Sequence, residues 1–217
     1  MEIVGLSEEK VRKISEIKNE DNWVSDYRLK GYKSFVEQGM PEFGPEINLN
    51  FEDVIYYKNN EADKRLENNW NNILKPVVDE LDSVGVLESE KYFGGMGVQY
   101  ESEVIYHNMI EELEKKNVIF TSIEDAIKRY PDLVKKYFGK IVAFTENKFA
   151  ALNAAVFSGG SFIYVPKNTV LDRPLQSYFR INSKNMGQFE RTLIIVDDNS
   201  SLHYVEGCTA PSYSESS

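Results

Sequence analysis

Residues 179–211 read FRINSKNMGQFERTLIIVDDNSSLHYVEGCTAP, in which short apolar runs alternate with turn-forming residues. The runs at 189–196 and 202–205 predict two β-strands, and similar runs at 161–165 and 175–181 predict two more. Asn, Asp, Gly and Pro residues separate them and predict turns. Short strands at this spacing are typical of a β-sandwich, a barrel or a β-helix, and periodicity alone does not choose among them.

The only cysteine of the chain, Cys208, follows Gly207 and precedes Thr209-Ala210-Pro211, just after the last predicted strand. One thiol cannot form an internal disulfide or bind an ordinary metal cluster alone. A chemical role for Cys208 would therefore be that of a single nucleophile or carrier. By its neighbours alone, a cysteine beside a glycine is more often a small buried apolar residue than a reactive thiol.

The first part of the chain is richer in helix signals. Ser7 and Ser122 are predicted helix N-caps, and Pro76 and Pro131 suit first-turn positions of two further helices. We therefore expect an α-rich domain at residues 1–140.

Two expectations concern the middle of this region. The glycines at 94–97 predict a flexible loop, which lacks the Lys-Ser/Thr pair of a phosphate-binding loop. The apolar spacing at 106–116 predicts an amphipathic helix that carries His107. We interpret His107 and His203 as structural residues, since one histidine and one cysteine make an incomplete metal site.

Composition and charge exclude several classes of function. The chain has 41% hydrophobic and 28% charged residues, which is ordinary for a soluble globular protein. A net charge of −10 disfavours nucleic acid and anionic lipid as partners. Its apolar runs are too short to span a bilayer, and its first residues do not resemble an export signal. With a single cysteine, these features predict a cytoplasmic protein without membrane or nucleic-acid partners.

Five longer phrases carry a family resemblance. They are AALNAAVFS (150–158), GSFIYVPK (160–167), SYFRIN (177–182), GQFERTLII (187–195) and EGCTAP (206–211). In this order they resemble the SufB family, the scaffold subunit of the sulfur-mobilisation (SUF) machine for iron–sulfur cluster assembly. Two departures are local: the chain has Asp172-Arg173-Pro174 where many members have a cysteine before the proline, and it has no N-terminal cysteine cluster.

The resemblance implies an α+β fold in which a helical N-terminal region precedes a right-handed parallel β-helix. Residues 141–217 would supply only the opening rungs of this β-helix, because four strands cannot complete a solenoid. We therefore expect the chain to be the N-terminal part of a longer protein. An unfinished sheet exposes an unpaired strand edge, so we also expect self-association.

The same resemblance implies roles for three residues. Cys208 matches the cysteine that receives sulfur as a persulfide, and Arg180 and Asn182 match residues that line the passage from it to the cluster-forming site. Arg180 and Asn182 alternate on one predicted strand and so share a face. A permanently charged guanidinium suits an anionic persulfide. Without the resemblance, a solvated polar pair is the simpler interpretation.

Expected partners follow from the resemblance as well. They are a SufC-like ATPase, a SufD-like subunit and a cysteine desulfurase system. The chain would act as a scaffold and sulfur acceptor and not as an enzyme, with an iron–sulfur cluster only in the complete complex and none on this chain alone.

Two alternatives stay open. One is a SufD-like structural subunit of the same complex. The other is a carbohydrate-active parallel β-helix protein that uses paired carboxylates, for which Asp197-Asp198 are the candidates. Adjacent side chains diverge on a strand, so a turn is the better interpretation of this pair.

Overall fold

A computed structural model describes residues 1–59 and 66–211, in which α-helices pack against three small β-sheets. The helices of this described part are α1 (Glu8–Ile17), α2 (Asn22–Glu37), α3 (Lys75–Ser83), α4 (Val86–Ser89), α5 (Glu111–Lys115), α6 (Ile123–Arg129), α7 (Pro131–Tyr137) and α8 (Lys148–Val156). The strands are β1 (Glu2–Val4), β2 (Ile55–Lys58), β3 (Gly95–Tyr100), β4 (Glu103–Met109), β5 (Ile119–Ser122), β6 (Ser161–Val165), β7 (Leu175–Arg180), β8 (Leu193–Val196) and β9 (Tyr204–Thr209).

The helix starts predicted from local signals are confirmed. The Ser7 hydroxyl accepts a hydrogen bond from the backbone N–H of Lys10 (3.3 Å), and the Ser122 hydroxyl accepts one from the N–H of Asp125 (3.1 Å). Pro76 and Pro131 lie in the first turns of α3 and α7. The first N–H groups of a helix have no partner within the helix. The serine hydroxyls accept hydrogen bonds from such groups, and the prolines have no N–H to pair, so these helix starts can be predicted from short stretches of sequence.

The flexible loop predicted at 94–97 is wrong, because Gly95 begins the fully buried strand β3. A Cβ at Gly95 would lie 2.9 Å from Cδ1 of Phe120. The glycine therefore lets the strand backbone pass directly beneath an aromatic ring of the core. Its function here is close packing and not flexibility.

The helix predicted over 106–116 is also wrong in its first half. Strand β4 continues to Met109, and only Glu111–Lys115 is helical. The strand pairs antiparallel with β3, and Glu101 turns the chain between them at a φ of 55°. Tertiary pairing therefore overrides the apolar spacing, and His107 lies on a strand.

Strands β6 to β9 alternate between two sheets. One sheet has the order β4-β3-β7-β9, with β7 parallel to both β3 and β9, and the other has the order β5-β6-β8, with β6 parallel to β8. Asn168 and Asn199, which are 31 residues apart, join the two turns of chain through their side chains (3.0 Å). Both have positive φ angles, 60° and 58°. Residues 31 positions apart thus lie side by side at this point of the chain. The β-helix itself stays a prediction.

Two predicted strands have different bounds in the structure. The strand predicted at 189–196 begins only at Leu193, because Phe189 and Arg191 form backbone hydrogen bonds with Ser158 and Gly159 instead of a strand. The strand predicted at 202–205 extends to Thr209. Cys208 therefore lies inside β9 and not after it.

The α-rich and β-rich regions share both a sheet and a helix pair. Strand β3 pairs with β7 across the predicted boundary at residue 140. Helix α2 packs closely on α8, since a Cβ at Gly31 would lie 2.8 Å from Cβ of Ala154. The placement of a domain boundary at 140 stays a prediction.

A buried ion pair joins Arg28 of α2 to Glu20, which lies just before α2, and contacts the end of α8. Arg28 donates to both carboxylate oxygens of Glu20 (2.7 and 2.5 Å), and the two side chains are 0% and 4% exposed. Its guanidinium also donates to the carbonyl of Ala155 (3.3 Å) and lies 3.8 Å from the ring centroid of Phe157. Removing either charge would leave the other buried without a partner.

We predict that Arg28→Met destabilises the chain strongly. The uncompensated Glu20 carboxylate should lower the free energy of unfolding by about 3–5 kcal/mol. Urea denaturation followed by circular dichroism measures the change. Arg12→Met is the control, since Arg12 pairs with Glu8 at the exposed surface of α1 and should change stability little. Equal effects of the two substitutions would contradict the prediction.

We predict that the chain self-associates through the outer strands and that Ile194→Lys reduces this association. Strands β8 and β9 are the last strands of their sheets in the described residues, and Ile194 is 38% exposed on β8. A lysine there opposes edge-to-edge pairing. Light scattering over a range of protein concentrations is the measurement. Val36→Lys, at a more exposed position on α2, should leave the association unchanged.

Candidate functional site

The register of β7 and β9 places the predicted site residues. Phe179 lies beside Cys208, and Arg180 lies beside Thr209. Since side chains alternate along a strand, Arg180 and Thr209 share one face of the sheet and Cys208 projects from the other. The structure thus brings Arg180 and Cys208 onto adjacent strands but places their side chains on opposite faces.

Arg180 and Asn182 meet around a carboxylate of α3. Arg180 donates through Nε and Nη2 to Oε1 of Glu80 (2.9 and 2.5 Å) and through Nη1 to the hydroxyl of Thr209 (3.0 Å). Asn182 donates to the hydroxyl of Tyr100 (2.9 Å), which donates to Oε2 of Glu80 (3.1 Å). Burial, and next the Glu80 carboxylate, raise the pKa of Tyr100 to about 12, so this hydroxyl stays protonated.

The other face of β9 carries the thiol and acidic neighbours. Cys208 is exposed, and its Sγ lies 3.8 Å from Oε1 of Gln188. Glu206, two residues earlier, shares its face. Glu206 accepts hydrogen bonds from the hydroxyls of Thr192 (3.1 Å) and Tyr204 (2.8 Å).

The electrostatics of this face keep the thiol protonated. Partial burial is the largest cause that raises the pKa of Cys208, the Glu190 carboxylate is the next, and Glu206 adds to them. Arg180 lowers this pKa but does not outweigh them. Burial likewise raises the pKa of Glu190, and the nearby Glu206 carboxylate adds to that rise. The thiol is therefore less ionised at neutral pH than an ordinary cysteine.

The other candidates lie apart from the thiol or take part in packing and turns. His203 is exposed, and its backbone carbonyl accepts a hydrogen bond from the N–H of Leu175 (3.0 Å). His107 packs edge-on against Phe120, with ring centroids 4.6 Å apart, and burial lowers its pKa to about 4.

The chain turns at Asp198 and Asn199 directly after β8, and Asp198 is paired with Lys167 (3.2 Å). Only the second residue of the Asp197-Asp198 pair therefore lies in the predicted turn. In residues 1–59 and 66–211, no three His, Cys, Asp or Glu side chains are grouped to bind a metal ion. No helix of the described chain is long and apolar enough to cross a membrane.

Comparison with known proteins identifies the family. Residues 8–177 match the family described as the SufBD protein N-terminal region. The chain belongs to the SufBD family. Over 215 residues it is 53% identical to an iron–sulfur cluster assembly SufBD family protein of Staphylococcus aureus (strain USA300) and 51% identical to one of Staphylococcus haemolyticus (strain JCSC1435). Each match covers 98% of this chain and 46% of the relative, so the chain spans about half the length of these curated relatives.

For this SufBD-family chain we predict that Glu190→Gln lowers the pKa of Cys208. The substitution removes the carboxylate that raises this pKa most after burial itself, so the thiolate forms at lower pH. The pH dependence of iodoacetamide alkylation, followed by intact mass, gives the midpoint. Glu88→Gln on α4 is the control, because Glu88 pairs with Lys91 at the surface. A midpoint that is unchanged or higher in Glu190→Gln would contradict the prediction.

Proposed function

We propose that this chain is the SufB-like part of an iron–sulfur cluster scaffold and that Cys208 accepts sulfur as a persulfide. The observation that carries the proposal is the single thiol of the chain, exposed on β9 within the SufB-like phrase Glu206-Gly207-Cys208-Thr209-Ala210-Pro211. Family membership and the relatives' role in iron–sulfur cluster assembly support it.

The proposed transfer is an exchange between a thiol and a persulfide. The Cys208 thiolate attacks the outer sulfur of a donor persulfide. The Sγ–S bond forms, the S–S bond of the donor breaks, and the donor sulfur leaves with the electron pair. The proton lost by the Cys208 thiol balances the one taken up by the leaving donor thiolate. The sum is one thiol and one persulfide on each side, with no external oxidant or reductant.

The proposed roles of Arg180 and Asn182 need a rearrangement. A passage-lining role would place the guanidinium beside the path of the sulfur. In this structure it is paired with Glu80 on the face opposite Cys208. We therefore propose that Arg180 reaches the sulfur path only when the Glu80–Arg180 ion pair opens.

The wider assembly is part of the same proposal. We place this chain with a SufC-like ATPase, a SufD-like subunit and a cysteine desulfurase, as a scaffold and not an enzyme. Strands β6 to β9 would form the opening rungs of a right-handed parallel β-helix, which the parallel β6–β8 and β7–β9 pairs support. The cluster itself would be built only in the complete complex.

A SufD-like structural subunit is the second candidate. The observation in its favour is that the thiol is not activated. Partial burial and then the acidic neighbours raise the pKa of Cys208, and Arg180 is paired with Glu80. The relatives' names cover both SufB and SufD. Sulfur acceptance separates the two candidates directly.

We predict that incubation with a cysteine desulfurase and cysteine adds one sulfur atom to the chain, at Cys208. Intact-mass and peptide mass spectrometry locate the added sulfur. Cys208→Ser should remove the labelling entirely. Labelling should fall in Arg180→Ala and fall less in Arg180→Lys, which keeps the charge but loses the planar donor group.

The Staphylococcus aureus (strain USA300) relative, of which this chain covers 46%, serves as the positive control for this experiment. A wild-type chain that gains no sulfur under conditions that label this relative, or a Cys208→Ser variant that gains as much as the wild type, would exclude the SufB-like role and favour the SufD-like one. Normal labelling in Arg180→Ala would exclude Arg180 from sulfur acceptance.

A further inference from the structure

The loop at 187–191, between β7 and β8, is held by backbone hydrogen bonds to distant segments and by contacts of its side chains. Four of its five residues form hydrogen bonds with distant segments: Gly187 N with Ile55 O (3.1 Å), Phe189 O with Ser158 N (2.9 Å), Glu190 O with Asn153 Nδ2 (3.0 Å), and Arg191 N with Gly159 O (3.1 Å). The Phe189 ring also packs on Tyr56, with ring centroids 5.4 Å apart. The remaining residue, Gln188, is therefore held in place by its neighbours on both sides.

The side chain of Gln188 lies beside the thiol and has an unused donor. Its Oε1 is 3.8 Å from Sγ of Cys208. Its Nε2 is buried and has no hydrogen-bond partner in the described part of the chain. A buried N–H without a partner costs free energy, and such groups are uncommon in folded proteins. Nε2 and Oε1 belong to one amide group, so a half-turn of this group would bring the donor to the position of Oε1, 3.8 Å from the sulfur.

We propose that Gln188 is the positioning residue that donates a hydrogen bond to the outer sulfur of a persulfide on Cys208. The inference rests on the proposed function, in which this cysteine accepts sulfur. In the free thiol, Sγ–H donates to Oε1 of Gln188. Once sulfur is added, the outer atom is an acceptor one bond beyond Sγ, and the amide N–H groups can donate to it. Hydrogen bonds to an ionised acceptor are about twice as strong as neutral ones.

The charges around Cys208 explain why a neutral donor suits this position. Glu190 and Glu206 both oppose negative charge on the sulfur, and the Tyr204 hydroxyl already donates to Glu206. Arg180 attracts an anion, but its guanidinium lies on the opposite face and is paired with Glu80. A lysine or arginine at 188 would be drawn to the two carboxylates. The amide of Gln188 can donate to the sulfur without that competition.

The test uses the chain itself, loaded chemically at its only cysteine with inorganic polysulfide. Alkylation by iodoacetamide is followed by intact mass over a range of pH. The thiol and persulfide adducts differ in mass and give two separate midpoints. In Gln188→Leu, we expect the persulfide midpoint to rise by about half a pH unit or more, because the persulfide anion loses a donor. The thiol midpoint should not rise with it, because the free thiol loses only the acceptor Oε1. General desolvation by leucine moves both midpoints together and leaves the gap between them unchanged.

Gln176→Leu is the matched control. Gln176 lies on the outer face of β7, where it accepts a hydrogen bond from the hydroxyl of Ser89 (3.2 Å), so this substitution should leave both midpoints at their wild-type values. Gln188→Met keeps the length of the side chain without its donors and replaces Gln188→Leu if the latter does not fold. The inference is overturned if the persulfide midpoint of the Gln188 variants does not rise, if it rises only as much as the thiol midpoint, or if the wild-type chain does not retain the added sulfur.

The outcome is separable from that of the proposed function, because no desulfurase is used. If the Gln188 variants behave as expected but the desulfurase does not label Cys208, the proposed function is wrong and this inference stands. If the desulfurase labels Cys208 but the Gln188 variants keep the wild-type midpoints, this inference is wrong and the proposed function stands.

Discussion

Strand β7 is the element on which the rest of the structure depends. It pairs in parallel with β3 on one side and with β9 on the other, and so connects the N-terminal region to the segment that contains Cys208. Its register also decides which chemistry each face presents. A slip of one residue would exchange the faces of the side chains on β9 relative to Arg180. The separation between the Glu80–Arg180 pair and the Cys208 thiol therefore has its physical origin in one set of backbone hydrogen bonds.

Sequence reasoning succeeded where the forces are local. Ser7 and Ser122 bond to N–H groups three residues away, and Pro76 and Pro131 fix backbone angles at their own positions. It failed where distant strands decide the outcome. Gly95 was expected in a flexible loop because its contact with Phe120 cannot be read from neighbouring residues.

The candidate site divides in the same way. Cys208 could be selected because it is unique in the chain, and its family phrase is contiguous in sequence. Glu80 could not be found, since it lies 100 residues from Arg180 on a helix with no local sign of an ionic partner. Gln188 belongs to a phrase that was singled out, but its proximity to Cys208 depends on how the 187–191 loop is held. The sequence thus predicts some of the residues that belong to the site, but it does not predict the direction in which each side chain points.

The stacked pair Asn168 and Asn199 has a consequence for how this protein can change in length. The hydrogen bond between the two side chains requires that the 31-residue spacing between them be kept, so the length of the intervening segment is constrained. Loss of one residue between β6 and β8 would strain the segment between the two strands if the asparagine contact were kept, or shift β8 out of its register with β6 if the contact were lost. Natural variation in length should therefore concentrate outside this interval, or arrive as a whole additional turn of chain.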